Sequence, residues 1–322
     1  MDSLDITKKP RLRSPYLICV WPGMGDVAFK AASYLVEKLG AEKFARIKPE
    51  EFFYQTGSVV KDGQVSIPEL PYGTFYFWKN KAGKQDLIIF ISNAQPDLAK
   101  AEAYCRQITT LAKMCKVSRV VGFAAIPQPI DHVQDPGVWF AGTSKKIIDS
   151  LAAFGFNPMT DGQVSGMNGL YLGIAKREGI DGFCLLGEIP LYTIQIENPK
   201  ASASVLKAFS TVYGITVSLD DLYKQSQSVE GEINKLLDYL KLNTPAAGPI
   251  QEEEIEKIKK SLGQLTKLPV SVKERIEQLF LDAQADISRA NELKSQLDKW
   301  NVYKDYEDRF LDLFKKKNDG NN

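Results

Sequence analysis

Between Tyr16 and about residue 216, short β-branched and aromatic runs alternate with longer amphipathic stretches, the pattern of a sheet with helices on its faces. It predicts strands at Tyr16–Trp21, Asp86–Ile91, Arg119–Ala125 and Gly182–Leu186. It predicts helices at Met24–Leu39, closed by Gly40, at Pro96–Cys115, with proline in the first turn, at Thr143–Phe154, ended by Gly155, and at Met167–Lys176. Asn198 and Pro199 open a further helix to about Tyr213, with Asn in the capping position and Pro at the first helical one. Short candidates rich in Gly and Pro fill Phe44 to Trp78. There VVKDGQVSI, Val59 to Ile67, sets Asp62-Gly63 between two β-like runs and predicts a hairpin, hence a mixed sheet.

From residue 217 the pattern is helical only. Leu222, Val229 and Leu236 recur every seven residues, with Ser226, Ile233 and Leu240 interleaved, which marks one helix seam. A linker, NTPAAGP, follows at Asn243 to Pro249. The next stripe is Ile255, Ile258, Leu262 and Leu265, with Glu253/Lys257 and Glu256/Lys260 four apart on its outer face. After Pro269 one long helix is predicted through Val272, Ile276, Leu279, Ala283, Ile287, Ala290, Leu297 and Trp300, then an aromatic coda of Tyr303, Tyr306, Phe310 and Phe314. The expected organisation is a disordered tail at 1–14, an α/β domain at 15–216, a helical appendage at 217–316 and a disordered tail at 317–322. Such an appendage forms a hairpin folded on itself or on the α/β domain, or a coiled-coil-like element that pairs subunits or engages a partner.

Charge narrows the function. Forty-one Lys and Arg balance 40 Asp and Glu, leaving +1 over 322 residues, so no overall field favours nucleic acid or an anionic membrane. Apolar runs such as Leu87 to Ile91 fall far short of the roughly 20 residues that cross a bilayer. The opening MDSLDITKKPRLRSP has no apolar segment after its charges and does not read as a secretory signal. Cys19, Cys105, Cys115 and Cys184 show no paired spacing and read as free thiols in a reducing, cytoplasmic compartment. His132 is the only histidine, which removes most imidazole zinc sites; its Pro-rich surroundings, PQPIDHVQDPG, predict a solvated loop position. No metal or cofactor is expected.

The unusual residues gather at predicted strand ends: VWPGMGD, FISNAQPD, GFAAIPQP and LLGEIPLY, with DGQVSGMNG before the Met167 helix. Ligands of open α/β sheets bind at that edge, so Gly23, Gly25, Asp26, Asn93, Gln95, Gly166, Asn168 and Glu188 are expected to converge on one crevice. Asp26 and Glu188 are the acid/base candidates, and Asn93 and Asn168 would orient a ligand. Gly23-x-Gly25-x-x-Ala28 fits a relaxed dinucleotide fingerprint, but Pro22 lacks a donor and Asp26 puts a carboxylate where a phosphate would sit. No Gly-x-x-x-x-Gly-Lys-Ser/Thr occurs, so a P-loop is excluded by pattern. The simpler account is that Gly23 supplies the turn, Gly25 lets the helix pack close to the strand, and Asp26 favours the positive end of the helix dipole.

LICVWPGMGDVAFKAASYLVEKL, DLIIFISNAQP, VVGFAAIPQP, GQVSGMNGLYLGIAKREGIDGFCLLGEIPLY and NPKASASVLKAF closely resemble the proteasome assembly chaperone family, in its prokaryotic branch like subunit two. The resemblance runs from about Pro15 to Leu240 and is most specific at SGMNGL, LLGE and NPKA. It implies a three-layer α/β/α sandwich of the phosphorylase/hydrolase-like kind with a mixed, mainly parallel sheet. It also implies homo-oligomers and, for some relatives, a role in assembling or capping proteasomal α-rings. Relatives that dock on proteasome rings use a C-terminal hydrophobic-Tyr-any tripeptide, whereas this sequence ends Gly320-Asn321-Asn322. The first expectation is therefore a non-enzymatic, oligomeric assembly or scaffold protein with a protein partner. The alternative is a small-molecule or nucleotide-binding protein, or a ligase or hydrolase, that uses the strand-end crevice.

Overall fold

The computed structural model describes residues 3–55, 57–83, 85–242, 270–299 and 302–315. Its strands are β1 Leu4–Ile6, β2 Tyr16–Val20, β3 Glu42–Ile47, β4 Val59–Lys61, β5 Gln64–Ser66, β6 Gly73–Trp78, β7 Leu87–Ser92, β8 Arg119–Gln128, β9 Val138–Gly142, β10 Asn157–Pro158 and β11 Gly182–Pro190. The helices of the first 213 residues are α1 Val27–Leu39, α2 Ala101–Met114, α3 Lys145–Ala152, α4 Gly166–Arg177 and α5 Pro199–Tyr213. Among the described residues, nine strands form one sheet in the order β1-β3-β6-β7-β2-β8-β11-β9-β10. The central strands β7, β2, β8 and β11 run parallel. Antiparallel pairings carry the sheet outward through β6, β3 and β1 on one side and β9 on the other. The sheet is thus mixed, but not through the predicted hairpin: β4 and β5 pair only with each other, as a separate ribbon turned by Asp62 and Gly63 at positive φ.

Alternation along the central strands makes the three layers. In β2, Ile18 and Val20 join the core beneath α1, α3 and α5, whereas Leu17 and Cys19 join the core beneath α2 and α4. In β7, Ile89 and Ile91 face the first core and Ile88 and Phe90 the second. A strand covered on both sides must be apolar at every position, which is why β7 reads as the unbroken run Leu-Ile-Ile-Phe-Ile. Each such side chain contributes about 1.5–3 kcal/mol when fully buried. Cys19, Cys105 and Cys184 are buried and Cys115 is half-buried, all unbridged, and burial pushes the thiols of Cys105 and Cys184 up to about 12.

The N-terminal segment departs from the expected disordered tail. Leu4 to Ile6 pairs antiparallel with β3, Leu4, Ile6 and Leu12 pack against the second core, and Asp5 pairs with Arg46 on the open side. The anchor is Asp86, 1% exposed, whose carboxylate accepts the backbone N–H of Arg13 at 2.7 Å and of Asn80 at 3.0 Å. The Arg13 guanidinium completes the clamp at 3.5 Å. Three alternating residues are too short a pattern to mark a strand without that distant carboxylate.

Helix α6, Asp220–Leu242, lies along α5. Leu222 joins the first core, and Ile233 and Leu237 close over Tyr192 with Val229 and Ile196 beside them. The predicted seven-residue seam slips at its third turn, where Leu236 is 41% exposed and Leu237 is buried instead. A straight α-helix drifts by roughly 20° per heptad, so a helix laid on its own domain buries 222, 226, 233 and 237 and half-buries 229. The helix predicted after Pro269 is also interrupted. Asp286 takes an extended conformation and accepts the Ser288 N–H, ending α7, Val270–Ala285, before a 3₁₀ turn and α8, Ala290–Lys299. With α9, Tyr303–Lys315, these helices build a core of their own around Leu279, Phe280, Leu293 and Phe310. The predicted linker at 243–249, the stripe from Ile255 to Leu265, Trp300 and the tail at 317–322 lie outside the described residues.

Asp86→Ala leaves two N–H donors without their acceptor, that of Asn80 buried and that of Arg13 partly buried, and is expected to cost about 2–4 kcal/mol in urea unfolding. Faster hydrogen exchange across Leu4 to Ile6 should accompany the loss.

Candidate functional site

After β2 the chain passes through Trp21, Pro22 and Gly23 into a 3₁₀ turn at Met24–Asp26 and then into α1. Gly25 adopts φ +58°, donates its N–H to Ile194 C=O at 2.8 Å and accepts the Asn198 N–H at 2.8 Å. The GMGD and NPKA segments therefore form one unit, held by two backbone hydrogen bonds. A Cβ at Gly25 would lie 3.3 Å from that of Asn198, so glycine is needed for both conformation and approach. The Asp26 N–H turns back to Gly23 C=O at 3.0 Å. Amides that would cradle a phosphate are thus spent within the protein.

Asp26 sits on the surface at φ +47° and makes no side-chain cap on α1. Loss of solvent on one side of its carboxyl raises the pKa above the ordinary 3.8. A hydrogen bond from the Gly23 backbone opposes that rise, Glu197 adds to it, and Lys30 opposes it. Lys30 is itself paired with Glu197.

Four of the predicted crevice residues do meet. The Asn168 side chain accepts the Trp21 N–H at 2.9 Å and donates to Trp21 C=O at 3.1 Å, closing the end of β2 as a neighbouring strand would. Gln95 donates to Pro22 C=O at 3.1 Å and accepts the Met167 N–H at 3.3 Å. Gly166, at φ +70°, packs against Gln95, and Gly23 lies against the Asn168 amide. The crevice is filled by its own polar side chains.

Asn93 and Glu188 do not join it. Asn93 turns to the β5–β6 connection, where its side chain accepts the Tyr72 N–H at 2.7 Å. Glu188 points to β9: one carboxylate oxygen accepts the Gly137 N–H at 2.8 Å and the other the Trp139 indole N–H at 2.7 Å. Asp26 and Glu188 therefore engage different partners and do not form an acid/base pair. Among the described residues, no group of three or more His, Cys, Asp or Glu is placed to hold a metal.

His132 also departs from expectation, because its side chain is only 6% exposed. Nδ1 lies 2.8 Å from the Tyr192 hydroxyl and 2.9 Å from the Asp131 carboxylate, and Nε2 lies 2.9 Å from the Asn234 side-chain oxygen on α6. Beside it Lys200, on α5, donates to Val133 C=O at 3.0 Å and pairs with Glu230 on α6 at 2.6 Å. These contacts fasten α6 to the strand-end loops around a cavity of about 20 Å³. That is space for one water, against about 300–1,000 Å³ for small-molecule sites. The missed signal was a polar stripe at intervals of four, Ser226, Glu230 and Asn234, beside the apolar seam.

The chain is an α/β/α protein whose strand-end edge is closed by its own amides, carboxylates and imidazole. The PAC2 family model matches residues 17–237, and the chain belongs to that family, the proteasome assembly chaperone family that its motifs resemble. A relative from Methanocaldococcus jannaschii, uncharacterized protein MJ1210, is 28% identical over 264 residues, covering 79% of this chain and 97% of the relative. PbaB of Pyrococcus furiosus, an archaeal proteasome activator, superposes with TM-score 0.62 at 23% identity over 72% of this chain and 97% of its own. PbaA of the same organism, an archaeal homolog of proteasome-assembly chaperone, gives 0.56 at 23% identity over 72% and 96%. At such identities the two structures show a shared fold. No helix among the described residues is long and apolar enough to cross a membrane.

Two substitutions separate the roles of the carboxylates. Glu188→Gln sets an amide donor against one of two N–H donors and is expected to cost about 1–3 kcal/mol of stability. For Asp26, a raised carboxyl pKa means the folded chain holds the proton more tightly than the unfolded one, so ionisation subtracts stability as pH rises through the folded value. Asp26→Asn should match the parent below pH 3.8, the ordinary value. At pH 7 it should be more stable by ~0.2–0.5 kcal/mol after solvent screening, read by urea unfolding at both pH values.

Proposed function

We propose that this chain is a non-enzymatic, oligomeric protein of assembly-chaperone or scaffold type, acting in the cytoplasm on a protein partner. The observation that carries this reading is the closed strand-end edge. Asn168, Gln95, Glu188 and His132 each spend their hydrogen bonds on the protein's own backbone or side chains, and the adjoining cavity admits no more than a water. What is left to act is surface. PbaB and PbaA, an archaeal proteasome activator and an archaeal homolog of proteasome-assembly chaperone, make a proteasomal ring the first client to test. The helical appendage is a second folded unit with its own core, and α6 spends its apolar seam on the α/β body. Self-association is therefore assigned to the α/β domain, residues 15–216.

Native mass spectrometry of the full chain and of a truncation ending at Leu242 tests this. A defined homo-oligomer with the same subunit number in both is the expected result. A monomeric full-length chain, or one that retains a small molecule lost on Asp26→Asn, would overturn the reading.

A further inference from the structure

His132 is the only histidine in the chain, and histidine is the side chain whose charge ordinarily changes between about pH 5 and 8. Its ring is enclosed where α6 meets the α/β body, with oxygens set against both nitrogens. On one side Nδ1 lies 2.9 Å from the Asp131 carboxylate and 2.8 Å from the Tyr192 hydroxyl, which already accepts the His132 backbone N–H at 2.9 Å. On the other, Nε2 lies 2.9 Å from the Asn234 side-chain oxygen. A neutral imidazole carries a single N–H and can donate on one side only. With that proton on Nε2, the Nδ1 lone pair faces a carboxylate, and with it on Nδ1, the Nε2 lone pair faces the Asn234 oxygen. The imidazolium donates on both sides and satisfies both oxygens.

We propose that protonated His132 is a clasp that holds α6, and with it the start of the appendage, on the α/β body, and that loss of the proton loosens the helix. The charges around the ring favour this sign. From its own loop the ring meets Asp131, whose carboxylate also accepts the Val133 N–H at 3.1 Å, and from the turn after β11 it meets the Tyr192 hydroxyl. Across the adjoining cavity stand Glu197 from the connection before α5, Lys200 from α5 and Glu230 from α6. Lys200 is paired with Glu230 at 2.6 Å, and Glu197 with Lys30, so the Asp131 carboxylate is the charge in contact with the ring. Docking of α6 therefore favours the proton-bearing ring, is tightest at low pH and weakens as pH rises through the range in which histidine titrates. Loosening would uncover Tyr192 and Ile196 of the body and the Val229, Ile233 and Leu237 side chains that close over them.

Hydrogen exchange of the full chain at about pH 5.5 and about pH 8, corrected for the intrinsic pH dependence of exchange, tests the clasp on either side of that range. The α6 amides from Asp220 to Leu237 should be about tenfold less protected at the higher pH, as for loss of one charge-assisted hydrogen bond. In His132→Gln they should show the lower protection at both pH values. Asn234→Asp, which cannot turn an amide donor toward a neutral ring, should widen the step between the two. Equal protection of the wild-type helix at both pH values would overturn the proposal, by showing that Asn234 reverses its amide and holds the neutral ring as well. A step that survives in His132→Gln would overturn it too, by assigning the proton to another group.

Discussion

The structure depends on one constraint, that β2, β7, β8 and β11 are covered on both faces. A strand in that position has no solvent side, so its alternate residues must belong to two cores, as Leu17 and Ile18 do. Once both faces are committed, helices must lie above and below, and parallel order follows because each crossover helix returns the chain to the same edge. Antiparallel strands are admitted only outside the central four. The same constraint gathers the strand ends at one edge, where unpaired backbone groups need partners. Asn168 supplies them for Trp21, Gln95 for Pro22, and the Ile194–Asn198 loop for Gly25. Chemistry that resembles a ligand site in the sequence is the closing of a sheet edge in the structure.

That equivalence explains which parts were legible. Helix ends that depend on local chemistry, such as Gly40 and Asn198, stand where the sequence puts them because cap residues act within a few positions of themselves, whereas the helix predicted to run to Gly155 stops at Ala152. β1 and the antiparallel flank were not legible, since Leu4 pairs with Ile47 and Arg13 with Asp86 across 43 and 73 positions. Convergence of Gly23, Gln95, Gly166 and Asn168 was legible from strand-end logic. Their partners were not, because a polar side chain facing a ligand and one facing a backbone amide are the same letter. Asn93 and Glu188 lie at strand ends as expected, yet neighbouring loops claim them.

The slip from Leu236 to Leu237 carries a functional consequence. A strict heptad would mark α6 as a strand of a supercoil, with its seam kept for another helix. The observed burial follows the 3.6-residue period instead, so the seam is spent on the body and fixed there by His132 and Lys200. Polar fasteners set within an apolar contact, here at Glu230 and Asn234, fix its register, as a lone polar residue does in a helix seam. The appendage thus starts from a defined position on the α/β domain.

A chain that fills its own crevice and fastens its first appended helix has little left to recognise anything except by surface. The apolar residues it leaves in water are then the informative ones. Isolated exposed leucines need no explanation, but a ribbon that leaves Val60 and its cross-strand neighbour Val65 open to solvent is a different case, because burial in the protein's own cores would have cost the fold only a shorter loop. A solvated ribbon of that kind holds its shape poorly alone and well against a second surface. On the proposed oligomeric reading, the oligomer, and not the single chain, is the unit whose geometry a client would meet.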